Sequence, residues 1–383
     1  MSNRLILNDT AYFGAGTLKK LSSELKERAF TRVLVVTDSV VAQSKTILKI
    51  AKLLAQSRIV YQIYDRPGIN LTVQNVKSGL DTAAIFKAEC IIAIGGKSAI
   101  NAAKAISLMY SNPEIKDVKK LEGEVSCKNK SLPVIALPVA SSCGAEASYT
   151  FTISDDSNNK SLYCMAPLSI PSTVIVDYEL SQKDLDLDFA SIGMETLCYA
   201  IESYLNKNSF KLTNVYSLEA IKAVVENVKE AVKGDKEAVE KVMNANYMAS
   251  LASSNSGLGL SSAMAEALSA NYDIPFGSSC GLLLPGVLQF YAVSSGDKYK
   301  EIALALGAKV SSKASSSDYR KSCIGAVEKL AKELKLPKKL SDLGVQKKDL
   351  DVLSDNAVQN LCTKDSLKDA SKKKITDLYK AVL

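Results

Sequence analysis

Two side chains in one short stretch have the types and spacing to work together: Glu195 and Tyr199 in GMETLCYAIESY, residues 193–204, with Glu202 on the same face. Apolar residues recur at Met194, Leu197 and Ile201, the period of an amphipathic helix, and positions four apart share a face. Glu195 and Tyr199 are thus placed like two ligands of one metal ion, yet a phenol is not among the usual protein donors. The chain has no histidine at all, which removes the imidazole as general base, proton shuttle and metal ligand. Any catalysis falls to carboxylate, Lys, Tyr, Cys, Ser or a bound cofactor. The 8 cysteines stand singly, with no CxxC pair. They read as core or surface thiols in a reducing cytoplasm rather than as ligands.

A second chemistry sits in CIIAIGGKSAIN, residues 90–101. A strand runs into Gly95-Gly96 and a helix begins near Ser98. Glycines at such a turn let backbone N–H groups approach phosphate oxygens at the positive end of a helix. The same glycines also serve turns that bind nothing, and both readings stand. Lys97 narrows the approach with its Cβ, while its ammonium can reach a pyrophosphate. Asp38, in VVTDS after an earlier strand, is placed either to accept from the ribose hydroxyls of NAD or to cap a helix.

The elements that must carry these groups fall into two textures. Short apolar runs at 32–37, 58–64, 90–94, 133–138 and 173–177 alternate with helical patterns at 47–54, 73–88 and 98–108. That alternation predicts an α/β domain with a parallel sheet covered on both faces. Beyond about residue 185 the periodicity is helical, with breaks at Pro275, Pro285 and SSKASSSD. The expectation is a dinucleotide-binding α/β domain over 1–180 and an all-helical domain over 181–383. A cleft between two such domains is the default ligand site.

Composition narrows the function classes. A chain of 383 residues, 47% hydrophobic and 23% charged, is globular. Its net charge of +7 comes from scattered lysines, densest in SLKDASKKKITDLYK, with few arginines. That reads as a solvated helix face rather than a nucleic-acid surface. No signal-like N-terminus and no run long enough to span a bilayer is present, so no membrane partner and a cytoplasmic location are expected.

Taken together, FGAG (13–16), VVTDS (35–39), IGGKSAINAAKAI (94–106), LPVASSCGAEAS (137–148), TVIVDYELS (173–181), GMETLCYAIESY (193–204), GLGLSSAMAEAL (257–268) and IPFGSSCGLLLPGVLQF (274–290) resemble the iron-containing (group III) alcohol dehydrogenase family end to end. The resemblance implies a Rossmann-like α/β domain followed by a helical metal domain, as in dehydroquinate synthase relatives, NAD as cofactor, and a homo-oligomer, commonly a dimer. Carried over residue by residue, it accounts for the odd helix. The family's Asp and His ligands fall on Glu195 and Tyr199, its next two His ligands on Ser262 and Phe276, and a proton-relay His on Glu266. Only a carboxylate survives, and no iron or zinc is expected. A different site from Glu195, Glu266, Cys198 or Cys280 has no diagnostic spacing.

The cofactor motifs depart less. The family's third loop glycine is Lys97, Ser98 is kept, and its Asp is Asn101. The second cofactor-facing stretch holds Ser142 and Cys143 and keeps Gly144 and Glu146. Asp38 and Lys160 match the family's Asp and Lys. Two functions stay open: a non-catalytic or nearly non-catalytic relative with a nucleotide-sized cleft and weak NAD binding, or a metal-independent NAD(H) oxidoreductase interconverting a small alcohol and an aldehyde or ketone. In the second, Tyr199 or Lys160 donates a hydrogen bond to the carbonyl and Glu266 relays a proton.

Overall fold

The structure, a computed structural model, describes residues 3–68, 70–139, 144–158, 160–181, 187–272, 274–292, 297–311 and 313–383. They form two compact units, Ile6–Leu187 and Asp188–Leu383, the second with a few N-terminal residues. The units part at 187/188 rather than at 180/181 because Leu180 and Leu187 pack into the core of the first.

The first unit holds the strands β1 (Thr10–Phe13), β2 (Arg32–Val36), β3 (Val60–Tyr64), β4 (Cys90–Gly95), β5 (Gly123–Glu124), β6 (Val134–Pro138), β7 (Thr150–Asp155), β8 (Lys160–Met165) and β9 (Thr173–Val176). Its helices are α1 (Lys20–Glu27), α2 (Ser39–Ala42), α3 (Lys45–Gln56), α4 (Val73–Phe86) and α5 (Lys97–Ser111). Six strands make a sheet in the order β1-β9-β6-β4-β2-β3, each neighbouring pair parallel. Side chains alternate across it. Val33, Val35, Cys90, Ile92 and Ile94 face Leu21 and Leu25 of α1 and Ile47, Ile50 and Leu54 of α3. Leu34, Val36, Ile91 and Ala93 face Val76 and Ala83 of α4 and Ile100, Ala103 and Ile106 of α5. Continuous apolar runs in the sequence are what a sheet covered on both faces requires.

A second sheet, ordered β5-β8-β7, is outside the sequence reading. Its hairpin pairs β7 and β8 antiparallel, Phe151 with Cys164 and Ile153 with Leu162. These four side chains enter the same core as α5, so the hairpin braces the helix that starts at the glycine loop.

The second unit contains α6 (Phe189–Leu205), α7 (Lys211–Val232), α8 (Lys236–Ser256), α9 (Leu260–Asn271), α10 (Phe276–Tyr291), α11 (Lys298–Ala305), α12 (Ser316–Glu333), α13 (Leu350–Gln359), α14 (Leu361–Lys364) and α15 (Lys372–Ala381). Asp188 caps α6, its Oδ1 accepting from the N–H groups of Ala190 at 3.1 Å and Ser191 at 3.0 Å. Every residue from Ala190 to Leu205 is buried, so α6 is the unit's central helix rather than an amphipathic surface one. At Gly193 an added Cβ would stand 2.2 Å from Val228 Cγ2 of α7, which fixes glycine at that crossing. The expected break at Pro285 does not occur: α10 runs through it. One backbone hydrogen bond is lost, but Leu282, Leu283, Leu284, Val287 and Leu288 bury the helix on both sides of the proline. At the far end of the unit, Tyr379 of α15 donates to the carbonyl of Met264 in α9 at 2.7 Å. Among the described residues no helix is long and apolar enough to cross a membrane.

Candidate functional site

In the α/β unit, β3 lies on one side of β2 and β4 on the other. Open parallel sheets bind ligands at the carboxyl ends of strands where the order reverses. Asp38 follows β2 there, and Gly95-Gly96 follows β4. Gly95 has φ +142°, and an added Cβ would lie 2.8 Å from Asp38 Oδ2 and 3.0 Å from Ala99 Cβ. Only glycine fits that tip. Gly96 is the N-cap of α5 and has no side chain to cap it. Lys97 opens the helix, half-buried. Ser98 Oγ and Asn101 Oδ1 are buried without a hydrogen-bond partner, and Asn101 is only 2% exposed. The Ser98 hydroxyl can donate to a phosphate oxygen, whereas the Asn101 amide oxygen can only accept.

Asp38 realises the cap: its Oδ1 accepts from Val40 N at 3.0 Å and Val41 N at 2.8 Å, leaving Oδ2 turned toward Gly95. Ser142 and Cys143 lie outside the described residues. Just after them, Gly144 turns with φ +68° into a 3₁₀ turn, Ala145–Ala147, that buries Glu146. Lys160, at the start of β8, forms an ion pair with Glu122 Oε1 at 2.6 Å.

In the helical unit, Glu195 and Tyr199 are buried on α6 and Glu266 is buried on α9. The rings of Tyr199 and Phe276 meet edge to face, centroids 5.8 Å apart at 68°, a favourable quadrupolar arrangement. Ser262 Oγ donates to Glu202 Oε2 at 2.6 Å. The same carboxylate accepts from the N–H groups of Gly259 at 3.0 Å, Ser262 at 3.2 Å and Ser261 at 2.6 Å. Glu202 of α6 therefore caps the start of α9. Burial pushes its carboxyl upward, against the hydrogen bonds that favour the anion. Among the described residues no group of three or more His, Cys, Asp or Glu is placed to hold a metal ion.

Residues 8–178 match the description "Iron-containing alcohol dehydrogenase", and residues 189–383 match "Fe-containing alcohol dehydrogenase family, C-terminal". The chain belongs to the iron-containing alcohol dehydrogenase family. A lactaldehyde reductase of Escherichia coli strain K12 is 33% identical over 379 residues, covering 99% of each chain. A NAD-dependent methanol dehydrogenase of Bacillus methanolicus is 26% identical over 373 residues, covering 97% of each. An alcohol dehydrogenase from Oenococcus oeni superposes with TM-score 0.94 at 24% identity over the whole of both chains. A 1,3-propanediol oxidoreductase gives 0.93 at 22%, again over both whole chains. The last two likenesses show the iron-type fold.

The structure also buries polar groups whose surroundings the sequence reading did not foresee. Lys104, two turns into α5, is fully buried, and its Nζ donates to the carbonyl of Thr150 at 3.0 Å. Desolvation lowers its pKa to about 7, with Glu146 pulling it up and Lys97 pulling it further down. A lysine in an alanine-rich helix looks exposed in sequence; its burial is created by the β7–β8 hairpin. Glu202 was read only as part of a helix face, because its partners lie 57 to 60 residues away. Cys198 and Cys280 are buried, and burial raises both thiols.

Proposed function

We propose that this family member binds NAD(H) in preference to NADP(H) through its α/β unit and does not perform the family's metal-dependent chemistry. The observation that carries the second part is how the ligand positions are spent. Ser262 donates its hydroxyl to Glu202 and Tyr199 stacks its ring edge on Phe276, so only Glu195 is left with a donor of the usual kind. An iron or zinc ion needing three or four strong donors does not fit this set.

The first part is supported by the Gly95 tip, the glycine-capped α5 and the unpartnered Ser98 Oγ, a donor for a phosphate oxygen. A carboxylate at Asp38 suits a ribose diol and repels a 2′-phosphate. Bound there, the nicotinamide supplies a hydride donor or acceptor, and the dehydrogenase and reductase names of the relatives agree with such a cofactor. For catalysis without metal, an acid must meet the carbonyl. Lys160 is paired with Glu122 and Tyr199 is packed on Phe276, which favours the non-catalytic reading.

The test is a titration of metal-stripped protein with NADH and with NADPH, followed by nicotinamide fluorescence. A parallel sample is incubated with Fe²⁺ or Zn²⁺, desalted and assayed for bound metal. Saturable NADH binding in the micromolar range, weaker NADPH binding and strongly substoichiometric metal are the expected results. Stoichiometric metal with alcohol oxidation would overturn the reading of the helical unit. Failure to bind NADH at millimolar concentration would overturn that of the α/β unit.

A further inference from the structure

Along α7 and α8 three lysines are balanced by carboxylates of the chain: Lys229 meets Glu333 at 3.1 Å, Lys233 meets Glu230 at 2.7 Å and Lys241 meets Glu237 at 2.7 Å. The segment from α14 into α15 is different. It carries Lys364, Lys368, Lys372, Lys373 and Lys374 against Asp365 and Asp369. Lys372 is matched, by Asp351 at 2.8 Å and Asp355 at 2.7 Å. Among the described residues the other four lysines form no ion pair, with Asp365 and Asp369 or with any other carboxylate.

Two of the four converge on one ring. Lys368 Nζ stands 4.4 Å from the centroid of Phe290, and Lys374 Nζ stands 5.3 Å from the same centroid. An aromatic face attracts a cation, and Phe290 lies in the last turn of α10, the negative end of that helix dipole. These effects hold the two ammonium groups in place without neutralising them: the ring has no net charge, and a helix end is worth about half of one. Lys374 also belongs to the first turn of α15, which has three lysines and no acidic residue, and a helix start disfavours cations. The chain thus fixes like charges together and supplies no anion for them.

The surroundings narrow what could. Phe290, Lys368 and Lys374 are half-buried, and no large apolar side chain of residues 361–383 is exposed, so a lipid surface would find charge but no anchor. Residues 361–383 contain no arginine, the side chain whose fork matches a phosphate. The ring is engaged by two ammonium groups rather than open to a stacking base. We propose that Lys368 and Lys374, set on Phe290 and flanked in the chain by Lys364 and Lys373, form a docking surface for an acidic segment of a partner protein, a run of Asp and Glu side chains. Opposite charge steers such a segment in, and salt weakens it. Because the ring already restrains both lysines, less side-chain freedom is lost on binding. The surface lies within the helical unit and does not depend on the dinucleotide reading.

The experiment titrates a fluorescein-labelled Glu-rich peptide with the full chain, by fluorescence anisotropy at low and at high salt. The wild type is expected to bind at low salt and to release the peptide at high salt. K368Q/K374Q is expected to bind about tenfold more weakly, and each single variant about threefold. K49Q/K52Q removes the same charge from exposed positions on α3 and is expected to bind as the wild type does. F290L leaves the net charge unchanged and is expected to weaken binding by freeing the two lysines. A melting temperature for each variant confirms that it is folded. No peptide binding by the wild type, equal losses in K368Q/K374Q and K49Q/K52Q, or unaltered binding in F290L would overturn a surface built on this ring. Tighter binding of a single-stranded oligonucleotide or of phosphatidylserine vesicles, lost in K368Q/K374Q, would overturn the acidic protein segment as its occupant.

Discussion

Two helices in this molecule, α5 in the α/β unit and α9 in the helical unit, both begin after a glycine cap without a side-chain acceptor of its own. Each presents the positive end of its dipole and several N–H groups that need a partner. At α9 the protein supplies that partner: Glu202 reaches across from α6 and accepts from three backbone N–H groups and from Ser262 Oγ. At α5 Gly96 adds no side-chain cap, and in its first turns Ser98 Oγ and Asn101 Oδ1 remain unpartnered. A helix start filled by the chain's own carboxylate is architecture. The start of α5 is the one where, under the reading proposed above, a ligand's phosphate takes that part. The same local sequence device, glycine before a helix, thus ends in opposite uses, decided by what a distant residue places over it.

This contrast can be broken by reopening the closed end. The quadruple substitution E195D/Y199H/S262H/F276H returns carboxylate and imidazole donors to the four ligand positions, and the expected outcome is uptake of about one equivalent of Zn²⁺ per chain, read by metal analysis after desalting. If no metal is retained, the helical unit has lost more than its donors.

Removing the protein's own cap comes next in size. E202A leaves buried N–H groups and the Ser262 hydroxyl without an acceptor and is expected to destabilise the helical unit by about 3 kcal/mol, measured by urea unfolding. At the open end, G95A forces a Cβ into φ +142° and against Asp38. We expect a loss of about 2 kcal/mol and NADH binding weakened by roughly tenfold or more, which is about 1.4 kcal/mol. The smallest effect belongs to D38A: about 1 kcal/mol from the lost cap of α2, together with a narrowed preference for NADH over NADPH. Unaltered discrimination in D38A would mean that the carboxylate serves the helix alone.

Much of this contrast was readable beforehand, and the unread part has a common cause. Strands β2, β4 and β6 announce themselves as apolar runs because both their faces are buried, and the glycine loop is punctuated by its own residues. The β7–β8 hairpin went unread although Thr-Phe-Thr-Ile-Ser-Asp alternates strictly between half-buried and buried positions, the period of a strand with one face in a core; β1 is four residues at the edge of the sheet. The continuity of α10 through Pro285 escaped because the packing on both sides outweighs a local breaker. Asp38 was legible as a residue with two uses, and its bonds to Val40 and Val41 establish the cap. Lys104 and Glu202 were illegible as buried ions because a side chain's solvent exposure is a property of its neighbours. For both of them the neighbours are tens of residues away.

The hydrogen bond from Tyr379 to the Met264 carbonyl joins residues 115 positions apart, and it gives the two halves of the chain different schedules during synthesis. The strands and helices of the α/β unit are all in hand once residue 187 has left the ribosome. Helix α9, with the serine that answers Glu202, waits for α15 before its last buried contact can form. Through that interval the nascent helical half exposes the apolar surface that Ile375, Leu378 and Tyr379 will cover, the kind of surface on which incompletely folded chains aggregate.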